Sequence, residues 1–102
     1  MAKIRKYTMA WALPNDPDVV SVRVRCSTSP FTGGQVDYDI PFDDVGKVDR
    51  CDLPLPKTPL IDGDLSVGIS TVDDVGNESD ISFVTVPFDL VAPAPVTGLS
   101  LL

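Results

Sequence analysis

The 102-residue sequence contains no histidine and only two cysteines, Cys26 and Cys51. Without histidine there is no imidazole to activate a nucleophile or to carry a proton, and every histidine-containing zinc site is excluded. Two thiolates alone do not complete a usual zinc site, and they do not make the disulfide-dense framework of small secreted domains. We therefore predict a protein that is not an enzyme, with no catalytic residue, no metal site and no cofactor.

A long apolar run and an excess of basic residues are also missing. No segment approaches the ~20 apolar residues of a transmembrane helix, and residues 8–13 are too few and too mixed for the apolar part of a signal peptide. The net charge is −7, whereas nucleic acids and anionic membranes are bound by basic surfaces. We expect no nucleic-acid partner and no membrane insertion, and the sequence leaves the compartment open.

Long stretches suited to helices are scarce as well. Ten prolines and seven glycines interrupt the chain, and fourteen of the fifteen acidic residues are Asp, with Glu78 the exception. Asp suits turns and strand ends because its carboxylate bonds nearby backbone amides. Turn chemistry also explains the acidic pairs at 43–44, 62/64 and 73–74, which lack the alternating oxygen ligands of a calcium loop. The composition favours a small β-domain.

Six short segments alternate polar and apolar residues or are rich in β-branched residues, as expected for β-strands. They cover residues 5–13, 19–27, 36–40, 47–55, 65–72 and 80–88. Turn residues separate them at intervals of ~8–12 residues, which is typical of a β-sandwich. We predict an all-β, two-sheet sandwich over residues 1–90, followed by a Pro-rich C-terminal segment at 91–102.

Alternation within these strands identifies the residues that should face the core. They are Trp11, Val20, Val22, Val24, Leu53, Leu65, Val67, Ile69, Val84 and Val86. Arg23 and Arg25 then lie on the outward face of the second strand. Four further apolar side chains are expected at the surface as candidates for binding, either in loops or on the outer face of the last strand: Phe31, Phe42, Ile81 and Phe83.

Cys26 and Cys51 fall on the predicted inner faces of strands in opposite sheets. One interpretation is two buried, small apolar side chains. The other is a disulfide that crosses the core. The sequence leaves both open, and a non-reducing mass measurement would distinguish them by two hydrogens.

The order of these features resembles the fibronectin type III domain. A strand with a tryptophan and a Pro/Asp turn (11–16) is followed by a valine strand with outward arginines (20–25). Residues 67–79 resemble the end of the family's F strand, its hairpin and the start of its G strand. The resemblance covers residues 5–88 and implies strands B, C, C′, E, F and G in that order. Leu65 stands where the family usually has a tyrosine, so the family's corner hydrogen bond is absent.

The family's first strand, A, has no counterpart ahead of residue 5, whereas residues 91–102 resemble the linker and first strand that open such a domain. A sandwich without strand A has an unpaired sheet edge, which is a template for strand addition. The residues expected to make that contact are Pro93, Pro95, Val96, Leu99 and Leu101. The resemblance implies a non-catalytic structural or interaction module at the cell surface or outside the cell. Head-to-tail donation of the C-terminal strand, building an oligomer or filament, is the sharper hypothesis.

Two other interpretations stay open. Residues 91–102 are also explained as a flexible linker or as a segment folded on its own domain. The main alternative for the whole chain is a monomeric adhesion module that binds carbohydrate or another surface protein with its loops. A structural subunit should oligomerise through residues 91–102, whereas a binding module should stay monomeric.

Overall fold

The computed structural model describes residues 7–31, 33–91 and 93–101. Six β-strands and no helix occur within these ranges. The strands are β1 (Tyr7–Ala10), β2 (Val19–Ser27), β3 (Phe42–Gly46), β4 (Arg50–Leu53), β5 (Asp62–Asp73) and β6 (Ser82–Asp89). The prediction of an all-β fold is confirmed.

The strands form two antiparallel sheets in a sandwich-like arrangement. β1 pairs with β4 in a two-stranded sheet, and the four-stranded sheet has the order β3, β2, β5, β6. Tyr7 lies opposite Leu53 and Ala10 opposite Arg50 in the small sheet. Side chains from both sheets meet in one apolar cluster, so the core lies between the two layers.

The third strand is the one that the sequence misplaced. It was expected at residues 36–40, with a loop to follow, but β3 is formed by Phe42–Gly46. Asp37 explains the difference, because its carbonyl accepts the N–H of Ile40 (3.2 Å) and its carboxylate accepts the N–H of Asp39 (2.9 Å). These local bonds make a turn and compete with a ladder. Residues 5 and 6 of the predicted first strand lie outside the described residues.

The core contains most of the residues that alternation assigned to it. Val22, Val24, Leu53, Leu65 and Val67 are buried. Others pack against this cluster while only partly buried: Trp11, Ile69 and Val86. The residues that complete the buried cluster are Cys26, Phe88 and Leu90.

Val20 and Val84 were predicted in the core and are exposed instead. Val20 is 50% exposed because the β2–β5 ladder shifts register between Val19 and Ser21. Such a bulge reverses the alternation, and Val19 is buried in its place. Val84 is 48% exposed although it alternates with the inward-facing Val86, because it lines an open cavity between the sheets.

The outer face of the four-stranded sheet is covered by the segment between β2 and β3. Phe31 and Ile81, expected at the surface, are buried there. They lie over Gly68 of β5, where any Cβ would collide with Ile81 and press on Phe31. Ile81 is fixed by its N–H, which donates to the Gly34 carbonyl at 2.7 Å. Phe83 stays partly exposed, with its ring 5.6 Å from that of Phe31.

Candidate functional site

A cavity of about 550 Å³ opens between the two sheets beside β1. Met9 and Trp11 line it from the small sheet, and Val67, Ile69 and Val84 line it from the large sheet. We call this cavity the groove. Loop residues with polar side chains form its rim at the Trp11 end: Asp16, Ser79 and Asp80. Because the walls are apolar and Val84 remains half exposed, the core is incomplete at this position.

Trp11 is held in place at the wall of the groove. Its indole N–H donates to the carbonyl of Val48 at 2.8 Å, and its backbone N–H donates to the carbonyl of Asp49 at 2.9 Å. The polar end of the indole is therefore satisfied, and the apolar ring is left to face the core and the groove. This fixed ring gives the groove a rigid apolar side.

Beside the groove, β1 has an edge that no other described strand pairs with. The bond from Trp11 to Asp49 continues the ladder with β4. Since hydrogen-bonding residues alternate along an antiparallel strand, Met9 bonds toward β4, while the N–H and C=O groups of Thr8 and Ala10 face the other way. These backbone groups point outward along the groove, and they are the kind of edge that another strand extends.

The outer edge of β6, on the opposite side of the groove, is protected at its C-terminal end. The N–H of Leu90 donates to the carbonyl of Ile61 at 2.9 Å, so alternation turns the backbone of Pro87 and Asp89 outward. Pro87 has no N–H to offer. The N–H of Asp89 donates to the Tyr7 hydroxyl at 3.0 Å. The outward backbone groups of Phe83 and Thr85 have no partner among the described strands, so β6 is protected at its end, whereas β1 is open along its length.

The C-terminal segment is extended away from the sandwich. Residues 93–101 form no strand and are exposed throughout, with Leu99 at 91% and Leu101 at 100%. The segment starts after Leu90, which is fully buried. The five residues predicted for a strand contact all lie in this exposed segment, away from the groove: Pro93, Pro95, Val96, Leu99 and Leu101. Within residues 93–101, no side chain is buried against the sandwich.

Arg25, expected on an exposed face, is 1% exposed and belongs to a buried ionic cluster. Its Nη1 donates to Oε2 of Glu78 at 2.5 Å, and Nη1 of Arg23 donates to Oε1 of Glu78 at 2.7 Å. Ser70 donates its hydroxyl to the same carboxylate at 2.5 Å. The guanidinium carbons of Arg23 and Arg25 lie 4.2 and 5.1 Å from the centre of the Phe42 ring.

The charge state of Glu78 follows from these contacts. Burial alone would raise the pKa of its carboxyl, but hydrogen bonds from Arg25, Ser70 and Arg23 outweigh burial and lower the pKa. The carboxylate is therefore ionised and neutralised by its two arginines. Alternation did place Arg23, Arg25 and Ser70 on one face of the sheet. Glu78, the only glutamate of the chain, was not identified from the sequence as the common partner of these three residues.

Both cysteines are free thiols, so the cross-core disulfide is absent from this structure. Cys26 is buried, with its Sγ 3.7 Å from Oγ1 of Thr58, and Cys51 lies opposite Met9. Burial raises the pKa of Cys26, and burial with the neighbouring charge of Cys26 raises the pKa of Cys51 to about 11. Thiols with raised pKa values carry little thiolate and react poorly. Both therefore act as small apolar residues.

The acidic hairpin between β5 and β6 uses its carboxylates for turn bonds. Asp73 accepts the backbone N–H of Asn77 at 2.8 Å and that of Val75 at 3.1 Å. The backbone and side-chain bonds from Asn77 lower the pKa of Asp73. Across the described ranges, no three His, Cys, Asp or Glu side chains are grouped closely enough to hold a metal ion.

Comparisons with known proteins indicate no function for this chain, so the evidence for function is the geometry. No protein family, curated protein or solved structure matches this chain. Within the part of the chain that the structure describes, no helix is long and apolar enough to cross a membrane. The candidate site therefore consists of the groove, the open edge of β1 and the exposed C-terminal segment.

Proposed function

We propose that the protein is a non-catalytic structural module that assembles head to tail, passing residues 91–102 of one copy to the open edge of β1 in the next. The observation that carries the proposal is the combination of an unpaired edge, an incomplete apolar core beside it and an exposed apolar segment in one chain. Each of the first two features is what an added β-strand satisfies.

The proposal includes a fold family. The order β1 to β6 agrees with strands B, C, C′, E, F and G of a fibronectin type III sandwich, with β1 and β4 in one sheet and the other four strands in the second. In that family strand A pairs with strand B. The open edge of β1 is then the position of strand A, and the neighbouring copy supplies it.

A neighbouring copy is the better donor for a geometric reason. The bond from Asp89 to the hydroxyl of Tyr7 puts the end of β6 at the Tyr7 end of the groove, whereas the groove opens beside Trp11. The chain's own segment would have to reverse after Leu90 and run back along β1. A segment from another copy can enter directly at the Trp11 end.

The energetics predict an association that depends on concentration. Burying a leucine side chain contributes about 1.5–3 kcal/mol, and each backbone hydrogen bond adds about 0.5–1.5 kcal/mol. The two leucines and the hydrogen bonds to Thr8 and Ala10 therefore contribute a favourable free energy. Its size is similar to the cost of association, which is about 4–15 kcal/mol. Because donor and acceptor surfaces differ, the contact is heterologous and can continue into a filament.

The partner in this proposal is the protein itself. Its net charge of −7 argues against nucleic acid and anionic membranes as partners, because both are bound by basic surfaces. The absence of histidine and the raised pKa values of both thiols also argue against catalysis.

Light scattering over a range of concentrations tests the proposal. The mass of the full chain should rise with concentration, and deletion of residues 91–102 should give a monomer at every concentration. Leu99→Ser with Leu101→Ser should act like the deletion, whereas Leu60→Ser, at an exposed leucine outside the groove, should not. A full chain that stays monomeric at high concentration contradicts the proposal.

A monomeric binding module is the second candidate. It is favoured by the polar rim of the groove, where Asp16, Ser79 and Asp80 stand beside apolar walls. Pockets with apolar walls and a few polar groups are typical ligand sites. In this case the groove takes a carbohydrate or a segment of another protein, and the full chain remains monomeric in the same scattering experiment.

A further inference from the structure

We infer that the donated segment enters the groove antiparallel to β1, with Leu99 opposite Trp11, Leu101 opposite Met9, and Ser100 hydrogen-bonded across from Ala10. The inference rests on the proposed function, because it takes the C-terminal segment of a second copy as the occupant. It adds the orientation and register of the contact, and it therefore defines which end of one copy meets which end of the next.

The two sides of the donated segment differ in polarity, and this difference decides which side faces the groove. Side chains of an extended strand alternate between two sides. Thr97, Leu99 and Leu101 form the more apolar side of residues 96–101, so this side faces the groove. Val96, Gly98 and Ser100 form the other side, which faces solvent as the exposed side chains of Thr8 and Ala10 do on β1.

Gly98 can make the required change of conformation. Its φ is +67° in the free segment, a left-handed value that is not extended. Glycine adopts both left-handed and extended conformations at little steric cost, so the segment can straighten when it docks. The change adds an ordering cost to association, in agreement with the expected dependence on concentration.

The register of the donated segment against β1 is limited by the outward backbone groups of β1. The outward backbone groups of β1 belong to Thr8 and Ala10, and a hydrogen-bonded antiparallel pair exchanges two bonds between directly opposed residues. The residue opposite Ala10 must therefore come from the solvent-facing set. Gly98 and Ser100 are the two choices that keep leucines over β1.

The free volume of the groove decides between these two registers. At the Tyr7 end the space is filled, because the Tyr7 ring packs edge-on against Phe88 with ring centres 4.5 Å apart. At the other end the groove is open beside Met9, Trp11 and Val84. The two leucines fill the open part only when they lie opposite Met9 and Trp11, which places Ser100 opposite Ala10.

The direction of the donated segment relative to β1 follows from the end at which the groove is open. β1 runs from the filled Tyr7 end of the groove to the open Trp11 end, and β6 runs the opposite way, ending at Asp89 beside Tyr7. A segment that enters at the Trp11 end is therefore antiparallel to β1, while the chain's own segment turned back would be parallel. The loops at the Trp11 end of each copy then face the Asp89 end of the preceding copy, giving a filament of one polarity.

Disulfide trapping between two variants that each carry one added cysteine tests the register. Ala10→Cys protein is mixed with Ser100→Cys protein under mild oxidation. Opposed residues in a hydrogen-bonded pair have Cα atoms about 5.5 Å apart, within the range that a disulfide spans. A linked dimer should form in the mixture and be lost when either variant is omitted. The native thiols are present in every sample and should form few links, because Cys26 is buried and Cys51 is half-buried.

Thr8→Cys mixed with Ser100→Cys is the matched register control, two residues away on the same edge. Linkage to Thr8→Cys rather than to Ala10→Cys, with association still dependent on residues 91–102, overturns the register and leaves the proposed function standing. A doubly substituted chain, Ala10→Cys with Ser100→Cys, that closes a disulfide within one monomer overturns the donation. Loss of any effect of residues 91–102 on association overturns both.

Discussion

The two faces of the four-stranded sheet are covered in different ways. The outer face is closed over β2 and β5 by the chain's own segment between β2 and β3, with Phe31 and the Arg25–Glu78 pair buried beneath it. The inner face is covered only in part by β1 and β4, which leaves the groove and a half-exposed Val84. Under the proposed function, this difference separates two properties: the closed face determines how stable one copy is, and the open face determines how copies associate.

Replacing Glu78 should break the closed face and leave the open one intact. Glu78→Gln leaves Arg25 buried without a counter-charge, and disruption of a buried ion pair typically costs about 3–5 kcal/mol. Denaturation with urea at neutral pH should show a loss of about 3 kcal/mol or more, with unchanged association of the folded protein. Asp74→Asn, which removes the same charge from an exposed loop, is the control. Equal effects of the two substitutions would contradict a structural role for the cluster.

Acid should weaken the closed face through the same carboxylate. The folded-state pKa of Glu78 is lowered, so its stabilising contribution is complete above the unfolded-state value of about 4.3. It is lost as the pH falls through the lower, folded-state pKa. The difference in unfolding free energy between the native protein and Glu78→Gln should therefore shrink from pH 6 to pH 3. A constant difference over that range would show that the charge of Glu78 contributes nothing.

A proline at position 10 should break the open edge and spare the fold. The N–H of Ala10 points away from β4, so Ala10→Pro removes one edge donor and no bond of the β1–β4 ladder. Loss of that bond, worth about 0.5–1.5 kcal/mol, should weaken association up to about tenfold in light scattering. Pro87 likewise leaves the edge of β6 without an N–H donor at its position.

Met9→Pro is the matched control for the edge variant. It removes a bond toward Cys51 on β4 and places proline within the ladder, so it should destabilise the fold itself. If Ala10→Pro associates as strongly as the native protein, the edge of β1 is not the site of contact.

Much of the fold was predictable because local patterns decided it. The valine alternation of residues 19–27 gave the bounds of β2. The failures come from features that alternation does not encode. A bulge after Val19 turned Val20 outward, and the turn bonds of Asp37 displaced the third strand to Phe42–Gly46. The burial of Arg25 depends on a loop that folds over it, and a strand pattern gives the face of a residue but not what covers that face.

The site was predictable in outline only. The order of strands indicated a missing partner for the first one, and the composition of residues 91–102 indicated a donor. Which edge is open along its length required hydrogen-bond register, because the end of β6 is protected by Pro87, which has no N–H, and by the bond from Asp89 to the distant Tyr7. The groove volume from which we inferred the insertion of Leu99 and Leu101 is a property of two packed sheets.

Amide hydrogen exchange at Thr8 and Ala10 tests directly whether the edge of β1 receives the C-terminal segment of another copy. Their N–H groups face the open edge of β1, so in a single copy they should exchange quickly. Protection of both amides should rise with the concentration of the full chain and stay absent when residues 91–102 are deleted. Fast exchange of both amides at every concentration, or equal protection in the deleted protein, would contradict the proposed donation.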